Sequence, residues 1–104
     1  MRRALIFLRP DFIMRDDAFE WDDDKALRNW SKHHLSFHDA RAVFMDPNVI
    51  ERPDPGQNEN EDRFSAIGMV EGRIVFVAYA IRATRIRIIS ARKAQAHERR
   101  RYYR

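Results

Sequence analysis

Four arginines stand where a phosphate could be held: Arg63, Arg85, Arg87 and Arg92. Arg85 and Arg87 sit in the run Arg85-Ile86-Arg87-Ile88-Ile89. Extended backbone sends them to one face and Ile86 and Ile88 to the other. Guanidinium forks match phosphate oxygens, so such a face reads as a phosphate clamp. It reads equally as a solvated face paired with Glu20, Glu51 or Glu61. Strict alternation places Arg87 and Arg92 on opposite faces, because their spacing is odd. Either the strand ends before Arg92 or one of the two is structural, and Arg63 and Arg87 rank above Arg92.

Histidines form the second group. His34 and His38 have the spacing that aligns two ligands on a helix, but Ser36 reads as a helix cap between them. No HExxH glutamate accompanies them, so a metal is not expected. His33, beside a helix end, caps carbonyls or serves as an acid or base, since imidazole titrates near neutral pH. The chain has no cysteine, which removes thiolate nucleophiles, thiolate zinc sites and disulfides. Its three glycines, Gly56, Gly68 and Gly72, are ungrouped, so no phosphate loop is formed. No serine nucleophile elbow is present either.

The elements that position these residues can be read in order. Phe19-Glu20-Trp21 alternates like a short strand. Asp22, Asp23 and Asp24 supply an N-cap and an acidic first turn. Ala26, Leu27 and Trp30 then continue a helix over about 23–32. Ser36 caps a second helix, with Asp39 in the reciprocal position, whose Phe37, Ala40, Val43 and Phe44 share a face and which Asp46-Pro47 ends. This pair of helices could pass for a DNA reader, but His38, Asp39 and Arg41 are poor equipment for base edges. Asn48 to Arg52 reads as a strand, and residues 54–62 as a polar loop. Arg63–Val70, Arg73–Arg82 and Arg85–Ser90 read as an antiparallel meander joined by two-residue turns. Residues 92–102 favour a helix. Trp21, Trp30, Phe37, Phe44, Ile74, Phe76 and Ile88 are the expected core.

The whole is 104 residues, 44% apolar and 35% charged, enough for one core and no more. The longest apolar run, Ile74 to Ile81, has the length of a buried strand and is far too short for a membrane span. Residues 1–18 read as an N-terminal extension of a single domain over 19–104, with Met14 as an alternative start. Arg9-Pro10-Asp11 cuts short the apolar stretch after Arg3, so it is not read as a signal peptide. The net charge of +4 conceals an asymmetry. Residues 85–104 carry a net +7 and the remainder a net −3. A basic end on an acidic body suits a polyanion or an acidic protein partner.

Three blocks of the sequence together resemble the BrnT toxins. The first runs Phe19-Glu20-Trp21-Asp22, Lys25, Asn29, Lys32-His33, Ser36-Phe37, Ala40, Val43-Phe44 and Asp46-Pro47. The second is Glu61-Asp62-Arg63 with Ile67-Gly68. The third is Arg87-Ile88-Ile89-Ser90-Ala91-Arg92, Ala94, Glu98-Arg99 and Tyr102. One position departs: the family's glycine after Lys-His is His34 here, at a place that suits a left-handed helix terminus.

The resemblance implies an α+β, RelE-like fold with two helices packed on an antiparallel sheet of about four strands and a C-terminal helix. It implies the toxin of a type II toxin–antitoxin pair, a cytoplasmic, metal-independent endoribonuclease that arrests translation and uses no cofactor. Its partner would be a BrnA-like antitoxin, two toxins bridged by an antitoxin dimer, with DNA contacted only through the antitoxin. Arg63, Arg87 and Arg92 would bind the phosphate, His33 or Glu61 would serve as base or acid, and Lys32 would support. The competing reading is a non-catalytic module whose arginine-rich C-terminal face binds nucleic acid or a protein partner.

Overall fold

Two tight turns fold the second half of the chain back on itself in the computed structural model, which describes residues 18–54 and 62–104. The strands are β1 (Phe19–Glu20), β2 (Ile50–Pro53), β3 (Arg63–Val70), β4 (Arg73–Arg82) and β5 (Arg85–Lys93). The helices are α1 (Asp23–His33), α2 (Phe37–Ala40), which runs into a 3₁₀ turn at Arg41–Met45, and α3 (Ala96–Tyr103). Glu71 and Gly72 both take positive φ, 50° and 79°, as a primed hairpin turn requires. Arg63 opposes Ala80 at one end of the β3–β4 pair, and Val70 opposes Arg73 at the other.

The α+β class and all three meander strands are as the sequence leads one to expect. The sheet differs in detail. It has five strands in the order β1-β5-β4-β3-β2, and β1 runs parallel to β5, so it is mixed. β2 begins at Ile50 rather than Asn48, and α3 begins at Ala96 rather than Arg92. Residues 92 and 93 extend β5 instead, where Arg92 opposes Phe76 and Lys93 opposes Val75.

The first two helices are started by the residues expected. Asp22 accepts the Lys25 amide at 2.9 Å, and Ser36 Oγ accepts the Asp39 amide at 2.9 Å. His34 does take the left-handed conformation, φ 56° and ψ 36°, and its amide donates to the Trp30 carbonyl. Histidine tolerates that region at a cost of about 1 kcal/mol that glycine avoids. Its ring also meets Trp30 edge-on at 5.8 Å.

One face of the sheet is covered by α1, α2 and the 3₁₀ turn. Phe37, Val43, Phe44, Ala66, Val77, Tyr79, Ile88 and Ala91 are buried there, with Tyr79 edge-on to Phe44 at 5.0 Å. Trp21 packs half-buried against Phe37. Trp30 is a correction: it is 53% exposed, because Asn29 takes the inward place beside it. The opposite face carries a smaller cluster of Ile67, Ile74 and Ala94, with Phe76 and Tyr102 packed against it, and α3 lies over that end. Tyr102 donates to Asp46 Oδ2 at 2.5 Å, and the same oxygen accepts the Met69 amide. Burial and then that bond to a carboxylate push the Tyr102 phenol up to about 12.

Gly68 is where the 3₁₀ turn crosses β3. A Cβ there would stand 2.9 Å from Val43 Cγ1 and 3.0 Å from the Val43 carbonyl oxygen. The methyl could rotate, but the backbone oxygen cannot yield without shifting the turn. Gly68→Ala is therefore expected to destabilise the protein by about 1–3 kcal/mol. Urea unfolding compared with wild type measures it, and an unchanged midpoint would refute the close approach.

Candidate active site

The face of the sheet away from α1 and α2 gathers the arginines. Arg63 on β3 opposes Ala80 on β4, which opposes Arg87 on β5, which pairs with Glu20 on β1. The two arginines are thus one strand apart on either side of an alanine, about 10 Å between Cα atoms. Such a gap lets two long guanidiniums converge on one ligand over a small floor. The next row is also small: Ser65, Ala78 and Ser90.

Arg92 joins the same face because β5 is irregular. Tyr79 opposes Ile88 while Ala78 opposes Ser90, so Ile89 is an extra residue, a β-bulge. The bulge resets the alternation. Ile88 and Ala91 both face the helices, while Arg87 and Arg92 both face the other way. Strict alternation, which separated the two arginines, fails for this reason. They lie about 13 Å apart along the sheet.

Arg87 and Arg92 each have an acidic anchor. Glu20 faces Arg87 at 3.2 Å, and Arg82 and Arg85 at 3.6 Å each. Arg92 forks onto Glu98 with bonds of 2.9 and 3.0 Å, and its guanidinium carbon lies 4.2 Å from the Phe76 ring centre. Glu51, in register with Ala66, is buried toward the helices and does not face this cluster.

The histidines do not converge. His38 Nε2 stands 3.0 Å from an Arg41 Nη, His34 packs on Trp30, and His33 lies half-buried. Among the described residues no three His, Cys, Asp or Glu side chains gather as a metal site. Asn29 explains where His33 goes. Its amide nitrogen donates to the Ala91 carbonyl at 2.8 Å and to the Leu35 carbonyl at 3.0 Å, and its oxygen accepts the Ala91 amide at 3.1 Å. The side chain replaces a missing strand partner at the edge of β5. His33 is one turn beyond Asn29 on the same face of α1, which brings it toward Arg92. Lys32 is exposed beside it. Glu61 lies outside the described residues.

A family model for the BrnT ribonuclease toxin of type II toxin–antitoxin systems matches residues 21–98. The chain belongs to the BrnT family. Comparison with curated proteins gives no match. Membership makes the protein a ribonuclease toxin by family and implies an antitoxin partner. The matched span contains every arginine of the clamp, His33, Lys32, Asn29 and Glu98. No helix among the described residues is long and apolar enough to cross a membrane.

Two titratable groups near Arg92, His33 and Glu98, are shifted by their surroundings. Burial, then the positive charges of Lys32 and Arg92, hold the His33 imidazole below its ordinary value of 6.5. It is therefore neutral at pH 7 and able to take a proton. Burial works against ionisation of Glu98. The Arg92 hydrogen bond, the Gln95 amide, and the charges of Arg92 and His97 outweigh it and keep the carboxyl below its usual range.

Asn29, Glu98 and Glu20 were not expected as site residues. Glu20 was foreseen only as a structural partner for the arginines. A signal for Asn29 existed in the stripe Ala26–Asn29–His33 at helical spacing. For Glu98 the signal was its place three residues after Gln95, which forms a capping box.

Proposed function

We propose that the protein is a metal-independent endoribonuclease of RelE-like arrangement that cuts RNA in the cytoplasm, arrests translation and is silenced by a BrnA-like antitoxin. The observation that carries it is one sheet face presenting Arg63, Arg87 and Arg92, with a neutral imidazole at its edge. In this reading His33 removes the proton of a ribose 2′-hydroxyl. The oxygen attacks the adjacent phosphorus, and the arginines meet the charge of the pentavalent phosphorane. Lys32 supports proton delivery to the departing 5′-oxygen, and Glu61 is the alternative base or acid. The products are a 2′,3′-cyclic phosphate and a 5′-hydroxyl. The antitoxin, two copies bridging two toxins, would be steered by the basic surface of residues 85–104.

Incubating purified toxin with single-stranded RNA in excess EDTA and analysing both new ends tests this. Cyclic phosphate and 5′-hydroxyl ends are expected. Cleavage that EDTA abolishes, or 5′-phosphate ends, would refute the mechanism. RNA bound without being cut would favour the non-catalytic module. Migration of toxin and the adjacent gene's product as separate species at low salt would refute the partner.

The pH profile gives an independent check. Only neutral His33 can act as base, so kcat/KM should fall on acidification with a midpoint below 6.5. Lys32→Gln removes a charge that opposes protonation, so the imidazole pKa rises and the limb moves upward. A limb unmoved in Lys32→Gln, or absent in wild type, would remove His33 from the chemistry.

A further inference from the structure

We propose that Glu98 is a positioning residue of the cleavage site, holding Arg92 by the end of its guanidinium so that the side fork remains open to an RNA phosphate. The proposal rests on the reading that Arg92 meets the RNA. Arg92 spends its two terminal nitrogens on Glu98, one on each carboxylate oxygen, and Nη1 also donates to the Lys93 carbonyl. Its Nε–H and the second Nη2 hydrogen make no bond among the described residues. Those two hydrogens form the other flat fork of an arginine, and a phosphate is its natural match. The side chain is 27% exposed, so a ligand can reach it.

Burial and two further contacts make the arrangement rigid. Glu98 is only 4% exposed in its side chain, and the Gln95 amide donates to Oε1 at 2.8 Å. Phe76 backs the guanidinium, which limits tilting. The cap that starts α3 is therefore also the holder of the arginine. A flexible arginine would have to be ordered during reaction. One already held presents its donors at no such cost, which is how preorganised charge accelerates phosphoryl chemistry. A plain structural staple would need the ion pair alone and would be indifferent to the free fork.

A double-mutant cycle on the full chain separates the two. Arg92→Ala, Glu98→Gln and the double variant are compared for thermal midpoint, single-turnover cleavage of a short single-stranded RNA, and affinity for its 2′-O-methyl analogue. Gln keeps the shape of Glu98 but turns an NH₂ toward an Arg92 donor. Arg92→Ala should slow cleavage about a hundredfold and Glu98→Gln about tenfold, with affinity in Glu98→Gln changed less than about threefold. The double variant should be no slower than Arg92→Ala, because Glu98 then has nothing to position. If Glu98→Gln cleaves at the wild-type rate while Arg92→Ala is slow, Glu98 has no such role. If the two losses multiply, it does not act through Arg92. Normal cleavage by Arg92→Ala overturns the proposal and leaves the ribonuclease reading standing, whereas an inert wild type overturns both. Should Glu98→Gln fail to fold, Arg92→Lys decides: it keeps the charge without two forks and should lose about tenfold, and wild-type cleavage by it overturns the proposal.

Discussion

Arg63→Ala and Arg87→Ala are each expected to slow RNA cleavage by about a hundredfold or more while the protein stays folded. The rate effect follows from removing one of two cations that flank Ala80 in a single cross-strand row. For Arg87 the structural cost is small. Glu20 keeps Arg82 and Arg85 at 3.6 Å, so its carboxylate is not abandoned when Arg87 is cut back. The lost pair is partly exposed and is worth at most about 1 kcal/mol. Arg63 is half-buried at the start of β3, and its alanine variant should lose somewhat more stability than Arg87→Ala. Thermal midpoint and cleavage rate measured together on each variant decide the matter. A stable variant that cleaves normally removes that arginine from the site. One that aggregates assigns it to the fold. Only a stable, slow enzyme agrees with a phosphate contact.

How much of this was legible beforehand follows from what kind of information each feature needs. β3 and β4 have the bounds expected because period-two alternation and two-residue turns are local signals. The caps at Asp22 and Ser36 are local too. The parallel β1 is different. Phe19-Glu20 is recognisable as a strand, but its partner, more than sixty residues away, is set by how α1 returns the chain to the sheet. The bulge at Ile89 depends on a count of residues in two strands at once, and no pattern within β5 reveals it. That single extra residue decides which face Arg92 takes, so the sequence alone leaves the placement of Arg92 open. Trp30 lies outside the core for a related reason. On α1 the inward stripe runs through Ala26 and Asn29, and a buried asparagine contradicts the rule that apolar side chains mark the core.

Asn29→Ala should be among the most damaging single substitutions in the molecule, although it removes only a small polar side chain. Asn29 is 7% exposed, Leu35 2% and Ala91 0%, so no solvent is at hand to replace its bonds. Alanine would leave the Ala91 amide and the Ala91 and Leu35 carbonyls without their partner. Each orphaned buried group costs about 1 kcal/mol or more, so a loss of about 3 kcal/mol is expected. For a chain of this size that lowers the thermal midpoint by roughly 15 °C. Asn29→Asp is the sharper control. It preserves the acceptor for the Ala91 amide but sets a carboxylate against two carbonyl oxygens, and it should be at least as unstable as alanine. A purely steric role for Asn29 predicts the reverse, since aspartate has nearly the same shape. The functional consequence is separable from the stability loss. Asn29 is the joint between α1, which carries Lys32 and His33, and the strand that carries Arg92. In the folded fraction of Asn29→Ala, well below its midpoint, a loosened joint should weaken the burial and the Arg92 field that depress His33. The acid limb of cleavage should then move up toward 6.5. Urea unfolding within about 1 kcal/mol of wild type, with the acid limb unmoved, would show that α1 is held to the sheet by other contacts and that the amide of Asn29 does not set the distance between His33 and Arg92.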